Sequence, residues 1–444
     1  MDKLWQAYNA ELAALRQLGA EFAEQHPQVA AHLSLRDEQV EDPHVSRLLE
    51  GVALQTARIR VNLDHDFPEL TQALIGTLYP DYHAPVPSQS IVQFSLIEQA
   101  PAPVCIEAGS QLTTPQADKP CLFRVNDTIS VLPARLSDVR WQAAPVAAPK
   151  LPKPYEAVLQ AKLTPSANAQ WSTITDDSLR FYISASEPAS FSLYQALLNQ
   201  TVGVAIAGEV NGEEAVVYLP PEALQPYGLD QASPGLDGRS SAAHHQLSDF
   251  FLFPKRFLFV ELQQLISTET GFNCWAKFQH GFTLYFYCRH TDSTLSTQVN
   301  NKSLALGCAS VINLFEAPVV PIPAKDVGIE ALLQVDPAHS HHADIYRLKT
   351  LTAHNSRGQA QHLQPFYKTR QTQKNTTLYW TSRREPANQS YRVNTREAQV
   401  NTFVSLVDDQ FEITGQKSDW IIEGRAWCTN RQWPNELLLR TKTL

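Results

Sequence analysis

Two stretches decide the fold at the start of this chain: YNAELAALRQLGAEFAEQHPQVAAHL at residues 8–33 and VSRLLEGVALQTARIRVNL at residues 45–63. In both stretches the apolar side chains recur at alternating steps of four and three positions. A helix whose apolar residues recur every 3.5 positions packs along its length against another helix. The two stretches therefore predict a helical head that takes part in a bundle.

The spacing also predicts which residues of the head make contacts. The first seam holds Tyr8, Leu12, Leu15, Gly19, Phe22, His26, Val29 and Leu33. The second seam holds Val45, Leu49, Val52, Thr56, Ile59 and Leu63. We predict that partner proteins are bound by ten of these residues, namely Tyr8, Leu12, Leu15, Gly19, Phe22, Val45, Leu49, Val52, Ile59 and Leu63.

Gly19 is unusual in its seam, because glycine inside a helix costs about 0.5–1 kcal/mol relative to alanine. It indicates either the close approach of a neighbouring helix or a kink, and the spacing leaves both open. Arg47, Arg58 and Arg60 accompany the second seam. They either select a partner and its register or form a solvated face.

Prolines set the predicted ends of these helices. Pro27 fits the first turn of a helix, so we predict a break at His26–Pro27. Asp42–Pro43 combines a capping acceptor with a first-turn proline and predicts a second long helix that ends near His65. A third, shorter helix is predicted between residues 67 and 79.

From Ser88 onward the pattern changes to strands. Short runs of β-branched and aromatic residues alternate with turn residues at intervals of roughly 8–12 positions, which is typical of sandwiches and barrels. We therefore predict a multidomain α+β protein with mostly antiparallel sheets. The predicted domains are a helical head at 1–87 and β-rich regions at 88–150, 151–246 (with a short helix) and 247–444.

Two further segments affect the functional interpretation. The segment DQASPGLDGRSSAAHHQL at 230–247 is the most loop-like in the chain. The segment DFFLFPKRFLFVELQQL at 249–265 is dense in phenylalanine. It predicts either a buried strand pair or a surface that docks another molecule.

Composition excludes several classes of protein. The 444 residues are 43% hydrophobic and 18% charged, which indicates a globular protein. The net charge of −9 and the lack of a basic run argue against nucleic-acid binding. The sequence contains no run of about 18 apolar residues, so no membrane span is predicted, and the N-terminus lacks the pattern of a signal peptide. The six scattered cysteines form no C-x-x-C pair and are predicted to be small buried hydrophobes in a reducing cytoplasm.

The sequence offers little for catalysis. It has no phosphate-binding glycine motif, no nucleophile elbow and no H-E-x-x-H motif. The cluster AHSHHAD at 338–344 is either a metal-binding tract or a solvated loop, and we expect the latter. We therefore predict no enzyme activity, no cofactor and no metal site. A β-sandwich binding module for carbohydrate or protein, with a helical oligomerisation head, is the alternative to an assembly protein.

Five blocks of the sequence resemble the TssF family, also called VasA or ImpG, which supplies a baseplate subunit of the bacterial type VI secretion system. The first two are YNAELAALRQLGAEFAEQHPQVAAHL (8–33) and DPHVSRLLEGVALQTARIRVNLDHDFPELTQALIGTLYPDYHAPVPS (42–88). The other three are LSDFFLFPKRFLFVEL (247–262), VINLFEAP (311–318) and GRAWCTNRQWPNEL (424–437). Family members continue past this last block, so this chain is either a fragment or a naturally short member.

The resemblance implies a structural function and a set of partners. Two TssF copies associate with one TssG through N-terminal helices, and TssE completes a wedge of the baseplate. Six wedges surround a VgrG hub, TssK links them to the membrane complex, and the baseplate nucleates the contractile sheath. These partners are expected to meet the chain at the cytoplasmic face of the inner membrane.

Overall fold

The computed structural model covers the chain in two compact units, residues 1–82 and residues 83–444. The residues that it describes are 2–32, 35–36, 39–40, 43–65, 74–76, 78–79, 82, 84–97, 100–115, 120–229, 242–267, 271–335, 343–366, 378–386, 400–408, 420–431 and 433–435.

The first unit is helical, as the apolar spacing predicts. Its long elements are α1 (Asp2–Gln25), α2 (Pro27–His32) and α3 (Pro43–His65). The predicted break at His26–Pro27 is confirmed, and so are the start of α3 at Pro43 and its end at His65. In α2 and α3 proline occupies the first position, where its missing N–H costs no hydrogen bond.

Two short strands, β1 (Leu35–Arg36) and β2 (Gln39–Val40), pair between α2 and α3. The predicted third helix falls partly outside the described residues, because 66–73 are not among them. Residues 74–76 and 78 of that segment are helical.

The second unit consists mainly of strands, which confirms the α+β prediction. Its strands are β3 (Gln89–Gln93), β4 (Val104–Ile106), β5 (Gln111–Thr113), β6 (Leu122–Val125), β7 (Ile129–Val131), β8 (Ala134–Ala143), β9 (Ala157–Pro165), β10 (Leu179–Ile183), β11 (Thr201–Val210), β12 (Glu213–Leu219), β13 (Leu224–Pro226), β14 (Phe259–Leu262), β15 (Ile266–Ser267), β16 (Phe272–Asn273), β17 (Phe282–Cys288), β18 (Leu304–Ala305), β19 (Cys308–Ile312), β20 (Phe315–Pro323), β21 (Ala331–Leu332), β22 (Asp344–Asn355), β23 (Ala360–Pro365), β24 (Leu378–Pro386), β25 (Val400–Asp408) and β26 (Trp420–Thr429). Its helices are α4 (Ala189–Asn199), α5 (Ala242–Leu252), α6 (Cys274–Lys277), α7 (Ser293–Gln298) and α8 (Ala324–Val327).

These strands form four larger sheets and two strand pairs. The larger sheets have the orders β3-β19-β6-β5, β12-β11-β17-β9-β8, β13-β14-β10-β18 and β20-β26-β22-β23-β24-β25-β21, and the pairs are β4-β7 and β15-β16. Every described pairing is antiparallel except that of β23 with β24. Two strand pairings cross the predicted domain boundaries: β8 pairs with β9 across residue 150, and β10 pairs with β14 across residue 246. The division into three β-rich domains stays a prediction.

The largest core lies between the five-stranded sheet and the four-stranded sheet β13-β14-β10-β18. Side chains of β10 alternate between buried and half-buried, as a strand with one covered face requires. Phe181 of β10 meets Phe286 of β17 edge to face, with ring centroids 6.4 Å apart. Trp171 and Trp275 pack edge to face at 5.4 Å in the same core. A second core fills the inner side of the seven-stranded sheet.

Segment 144–154, which is rich in proline and alanine, joins β8 to β9 within one sheet. The hydroxyl of Tyr287 donates to the carbonyl of Pro149 at 2.6 Å, and that of Tyr218 donates to the carbonyl of Lys150 at 3.0 Å. Leu151 packs against the outer face of this sheet. The segment is therefore fixed to the sheet by contacts along its length.

Candidate interaction surface on the helical head

Helices α1 and α3 pack against each other. The Nη1 atom of Arg60 lies 2.7 Å from Oε1 of Glu11. This ion pair joins the first half of α1 to the last turns of α3. The Arg60 side chain is mostly exposed, so this ion pair contributes at most about 1 kcal/mol.

One face of α3 is closed by small side chains. Ala53 and Ala57 are fully buried, and residues four apart lie on the same side of a helix. Since α1 is the long helix that packs on α3, this alanine face is turned toward α1. Gly19 is half buried within the continuous helix α1, and a close approach of a neighbouring helix at Gly19 stays a prediction.

The ten predicted contact residues divide between covered and uncovered positions. Half-buried are Tyr8, Leu12, Leu15, Gly19, Val45 and Leu49, and exposed are Phe22, Val52 and Ile59. The Leu63 side chain lies outside the described part. The α1 seam therefore turns partly toward α3 of the same chain. Contact of all ten with partner proteins stays a prediction.

A second apolar face of α3 remains uncovered in the chain. Leu48, Val52 and Ile59 are 70%, 51% and 59% exposed. At 100° per residue they fall within about 40° of one another around the helix axis. We call these three residues the α3 stripe. Sequence reasoning missed Leu48, although its spacing of four from Val52 was a usable signal.

The charges of α3 lie beside the stripe. Arg60 pairs with Glu11 of the same chain across the contact of α1 with α3. Arg47 and Arg58 are exposed. The stripe itself carries no charged side chain, so an apolar partner surface can cover it without desolvating a charge.

Elsewhere in the described residues, the titratable side chains include a buried ion pair. Within them, no three His, Cys, Asp or Glu side chains come together as a metal site. Of the histidine cluster, His339, His341 and His342 lie outside the described residues. Asp344 accepts from Nε of Arg431 at 2.8 Å, in a buried ion pair. No helix in the described ranges has the length and apolarity to cross a membrane.

The cysteines behave mainly as core residues. Five are buried, and Cys105 is exposed. Burial raises the pKa of the Cys274, Cys288 and Cys428 thiols to about 12 and that of Cys308 to about 11. A thiol with so high a pKa is a poor nucleophile near neutral pH.

The phenylalanine-rich segment is partly buried and partly exposed, and docking of another molecule on it stays a prediction. Phe257, Phe259 and Val260 are buried, whereas Phe250 and Phe251 are exposed on α5. The predicted loop at 230–247 is wrong at its end, because α5 begins at Ala242. Helix formation there lets Asp249 reach buried polar partners, a tertiary effect that the local composition does not show.

Comparisons with known proteins agree along nearly the whole chain. Residues 1–443 match the sequence family described as "Type VI secretion system, TssF". The chain is 30% identical to the type VI secretion system component TssF1 of Pseudomonas aeruginosa, over 97% of this chain and 71% of that protein. Its fold is similar to a chain of the cryo-electron microscopy structure of the type VI secretion system TssK-TssF-TssG baseplate subcomplex. That similarity has a TM-score of 0.66 at 22% identity, over 88% of this chain and 69% of the other.

Proposed function

Because this chain belongs to the TssF family of the type VI secretion system, we propose that it is a structural subunit of the baseplate wedge. TssG and TssK are its proposed partners, since both occur with TssF in the baseplate subcomplex and the fold of this chain is similar to that of one chain in it. The family resemblance adds a second copy of the chain, TssE and the VgrG hub. The proposed setting is the cytoplasmic face of the inner membrane, where wedges nucleate the sheath.

The observation that carries this proposal is the α3 stripe. Three large aliphatic side chains lie at helical spacing on a helix whose opposite side is already occupied by α1. An apolar helix face without a cover is stabilised when a further helix buries it. We propose that a helix of TssG covers the α3 stripe, and that the α1–α3 pair enters the bundle as a preformed unit.

The proposed work of the subunit is burial of surface rather than chemistry. Fully burying a large aliphatic side chain contributes about 1.5–3 kcal/mol. Three side chains that are half exposed or more can therefore supply much of the free energy of a stable subunit contact.

Co-purification with TssG tests the proposal. We expect the wild-type chain to recover co-expressed TssG, and the double variant Val52→Asp with Ile59→Asp to lose it while keeping its β-sheet circular dichroism. Leu54→Asp is the matched control, because Leu54 is exposed on a different side of α3. Undiminished TssG recovery by the double variant would overturn the proposed surface.

Charged substitutions in the covered seams are a coarser test. Leu15→Asp and Leu49→Asp should also abolish wedge formation. Both residues are half buried within the head, so these changes disturb the α1–α3 pair as well as any partner contact. The exposed stripe positions separate assembly from folding.

A further inference from the structure

Strand β12 (Glu213–Leu219) is an edge strand of the five-stranded sheet β12-β11-β17-β9-β8. It pairs with β11 without a bulge, and no strand of the described residues pairs with its other side. Its sequence, EEAVVYL, contains no proline and no lysine. An exposed strand edge presents N–H and C=O groups on which a further strand can form. The β12 edge is therefore open to pairing.

The other long edge strands of the described sheets, β8 and β20, are protected against pairing. β8 has a bulge between Ser137 and Arg140, and Asp138 within it has a positive φ of 51°. β20 has a bulge between Val319 and Ile322 and contains three prolines. Bulges and prolines at an edge keep it from pairing with another chain. β12 has the length of a stable strand and neither of these devices.

The turn before β12 determines which of its backbone groups face outward. Asn211 and Gly212 have positive φ, at 55° and 84°, as a two-residue type I′ hairpin turn requires. The two residues that flank such a turn exchange both hydrogen bonds, and every second residue along the strand then bonds to β11. The N–H and C=O groups of Glu214, Val216 and Tyr218 therefore face away from β11. No hydrogen bond among the described residues uses these outward groups.

The hairpin tip beside this edge carries three exposed carboxylates, those of Glu209, Glu213 and Glu214. Glu209 and Glu214 are directly opposite in the β11–β12 register, at a pair where side chains of neighbouring strands lie closest. Like charges directly opposite destabilise a strand pair. No cation in the described part of the chain forms an ion pair with any of the three. A partner that brings lysine or arginine to the tip relieves this repulsion.

We propose that the β12 edge binds an extended segment of a partner protein, which adds a strand to the five-stranded sheet. The segment carries Lys or Arg at the end that lies beside the hairpin tip, because the carboxylates there repel an acidic strand. Its residues on the inner side are apolar, since Ala215 and Val217 of β12 pack at the margin of the core there. This surface lies on the second unit and goes beyond the proposed contact of the α3 stripe with TssG.

Charge argues against a second copy of β12 as the occupant. β12 begins with two glutamates and has no cation, so it cannot supply the basic end that the tip requires. Backbone hydrogen bonds supply the affinity of an added strand, and the side chains at its ends supply the selection. The occupant is therefore defined by its extended conformation and by its basic end.

Fluorescence anisotropy of labelled peptides with the full chain tests the strand addition. The probes are short peptides of alternating threonine and valine with a pair of lysines at either the N-terminal or the C-terminal end. One of the two should bind, and binding of the C-terminal form indicates an antiparallel strand, because its lysines then lie beside Glu213. The same peptides with glutamates in place of lysines should bind at least about tenfold more weakly. Failure of both lysine peptides to bind would overturn the proposal.

Proline-substituted peptides separate strand pairing from attraction by charge. With proline in place of each valine, the lysine peptides keep their charge but lose the N–H groups of the ladder. They should bind at least about tenfold more weakly than the valine peptides. Equal binding would show that charge alone holds the peptide, and the strand addition would be wrong.

Val216→Pro tests the edge from the side of the chain. The N–H of Val216 faces outward, so its loss removes a donor for the added strand and leaves the β11–β12 ladder intact. Peptide binding should weaken at least about tenfold, with unchanged circular dichroism. Val216→Thr is the matched control, because it keeps both the N–H and the β-branched shape. Equal affinities of the two variants would rule out the β12 edge as the binding site.

Reversal of the tip charges tests the selection without touching the edge backbone. The double variant Glu209→Lys with Glu214→Lys should prefer the glutamate peptide over the lysine peptide, and added salt should weaken both preferences. Because both side chains are exposed, this variant stays informative even if Val216→Pro does not fold. An unchanged preference for lysine would contradict the role assigned to the tip.

The α3 stripe variants separate this proposal from the proposed function. The double variant Val52→Asp with Ile59→Asp should bind the lysine peptide like the wild type, since β12 belongs to the other compact unit. Loss of TssG with retained peptide binding supports both proposals, and retained TssG with retained peptide binding refutes only the stripe. Loss of peptide binding by this variant would place the peptide on the helical head and refute the β12 edge.

Discussion

Truncation of Ile59 to alanine should weaken the binding of TssG about tenfold. The Ile59 side chain is 59% exposed in the chain, so that fraction remains to be buried by a partner. With about 1.5–3 kcal/mol for complete burial of such a side chain, the part still available is about 1–2 kcal/mol. A change of about 1.4 kcal/mol corresponds to a factor of ten in the dissociation constant.

The same reasoning orders the other positions of the stripe. Leu48 is 70% exposed and should lose as much affinity on truncation as Ile59, or slightly more. Val52 is smaller and 51% exposed, so Val52→Ala should cost about 1 kcal/mol. The triple alanine variant should lose binding in a micromolar assay, although truncations within one patch do not add strictly.

Titration calorimetry of each variant against purified TssG is the assay, with thermal denaturation of the free chain measured in parallel. The stability of the free chain should hold or rise slightly, because alanine favours a helix more than isoleucine does. Leu54→Ala, on another side of α3, should bind like the wild type. If Ile59→Ala and Leu54→Ala lowered the affinity equally, or if lost binding followed lost stability, the stripe would not be the contact surface.

Three further predictions follow from the described contacts. Gly424→Ala should destabilise the chain by about 1–3 kcal/mol, because a Cβ there would lie 2.6 Å from the carbonyl oxygen of Thr350. Gly51→Ala should stabilise α3 by about 0.5–1 kcal/mol, because a Cβ at Gly51 meets no atom within 4 Å. Urea unfolding of both variants checks that the two changes in the free energy of unfolding have opposite signs. Arg431→Met should lower the free energy of unfolding by about 3–5 kcal/mol, because it leaves the carboxylate of Asp344 buried without the guanidinium of Arg431. Glu187→Gln, in an exposed ion pair, should lower it by less than about 1 kcal/mol. Equal losses of stability in thermal denaturation would contradict the assigned burial of the two pairs. Only Cys105 should react quickly with Ellman's reagent in the folded chain, and rapid reaction of several thiols at pH 8 would refute this assignment of burial. Burial raises the folded pKa of thiols such as Cys288 to about 12 from an ordinary value of 9.0. The free energy of unfolding should therefore fall as the pH rises from about 9 toward 12.

The sequence predicted the head closely because its signals are local. Pro27 and Pro43 restrict the backbone wherever they occur, and so the break and the helix start could be placed to the residue. The change to strands after Ser88 followed from residue types alone. The order of strands did not, because β3 pairs with β19 and β10 with β14 over long sequence separations that no local pattern records.

Periodicity by itself predicted amphipathic helices that need neighbours, and the structure has them at Asp2–Gln25 and Pro43–His65. Periodicity could not determine which faces meet, because one heptad pattern serves an intramolecular and an intermolecular contact equally well. Only the tertiary structure showed that Ala53 and Ala57 turn to α1 and leave the α3 stripe outside. It also placed Phe250 and Phe251 at the surface, because the partners of Asp249 are Gln89, which is 160 residues away, and Arg256, which lies in the 3-10 helix Pro254–Phe257 after α5. The burial of a side chain is set by what folds against it, and that information lies outside its own helix.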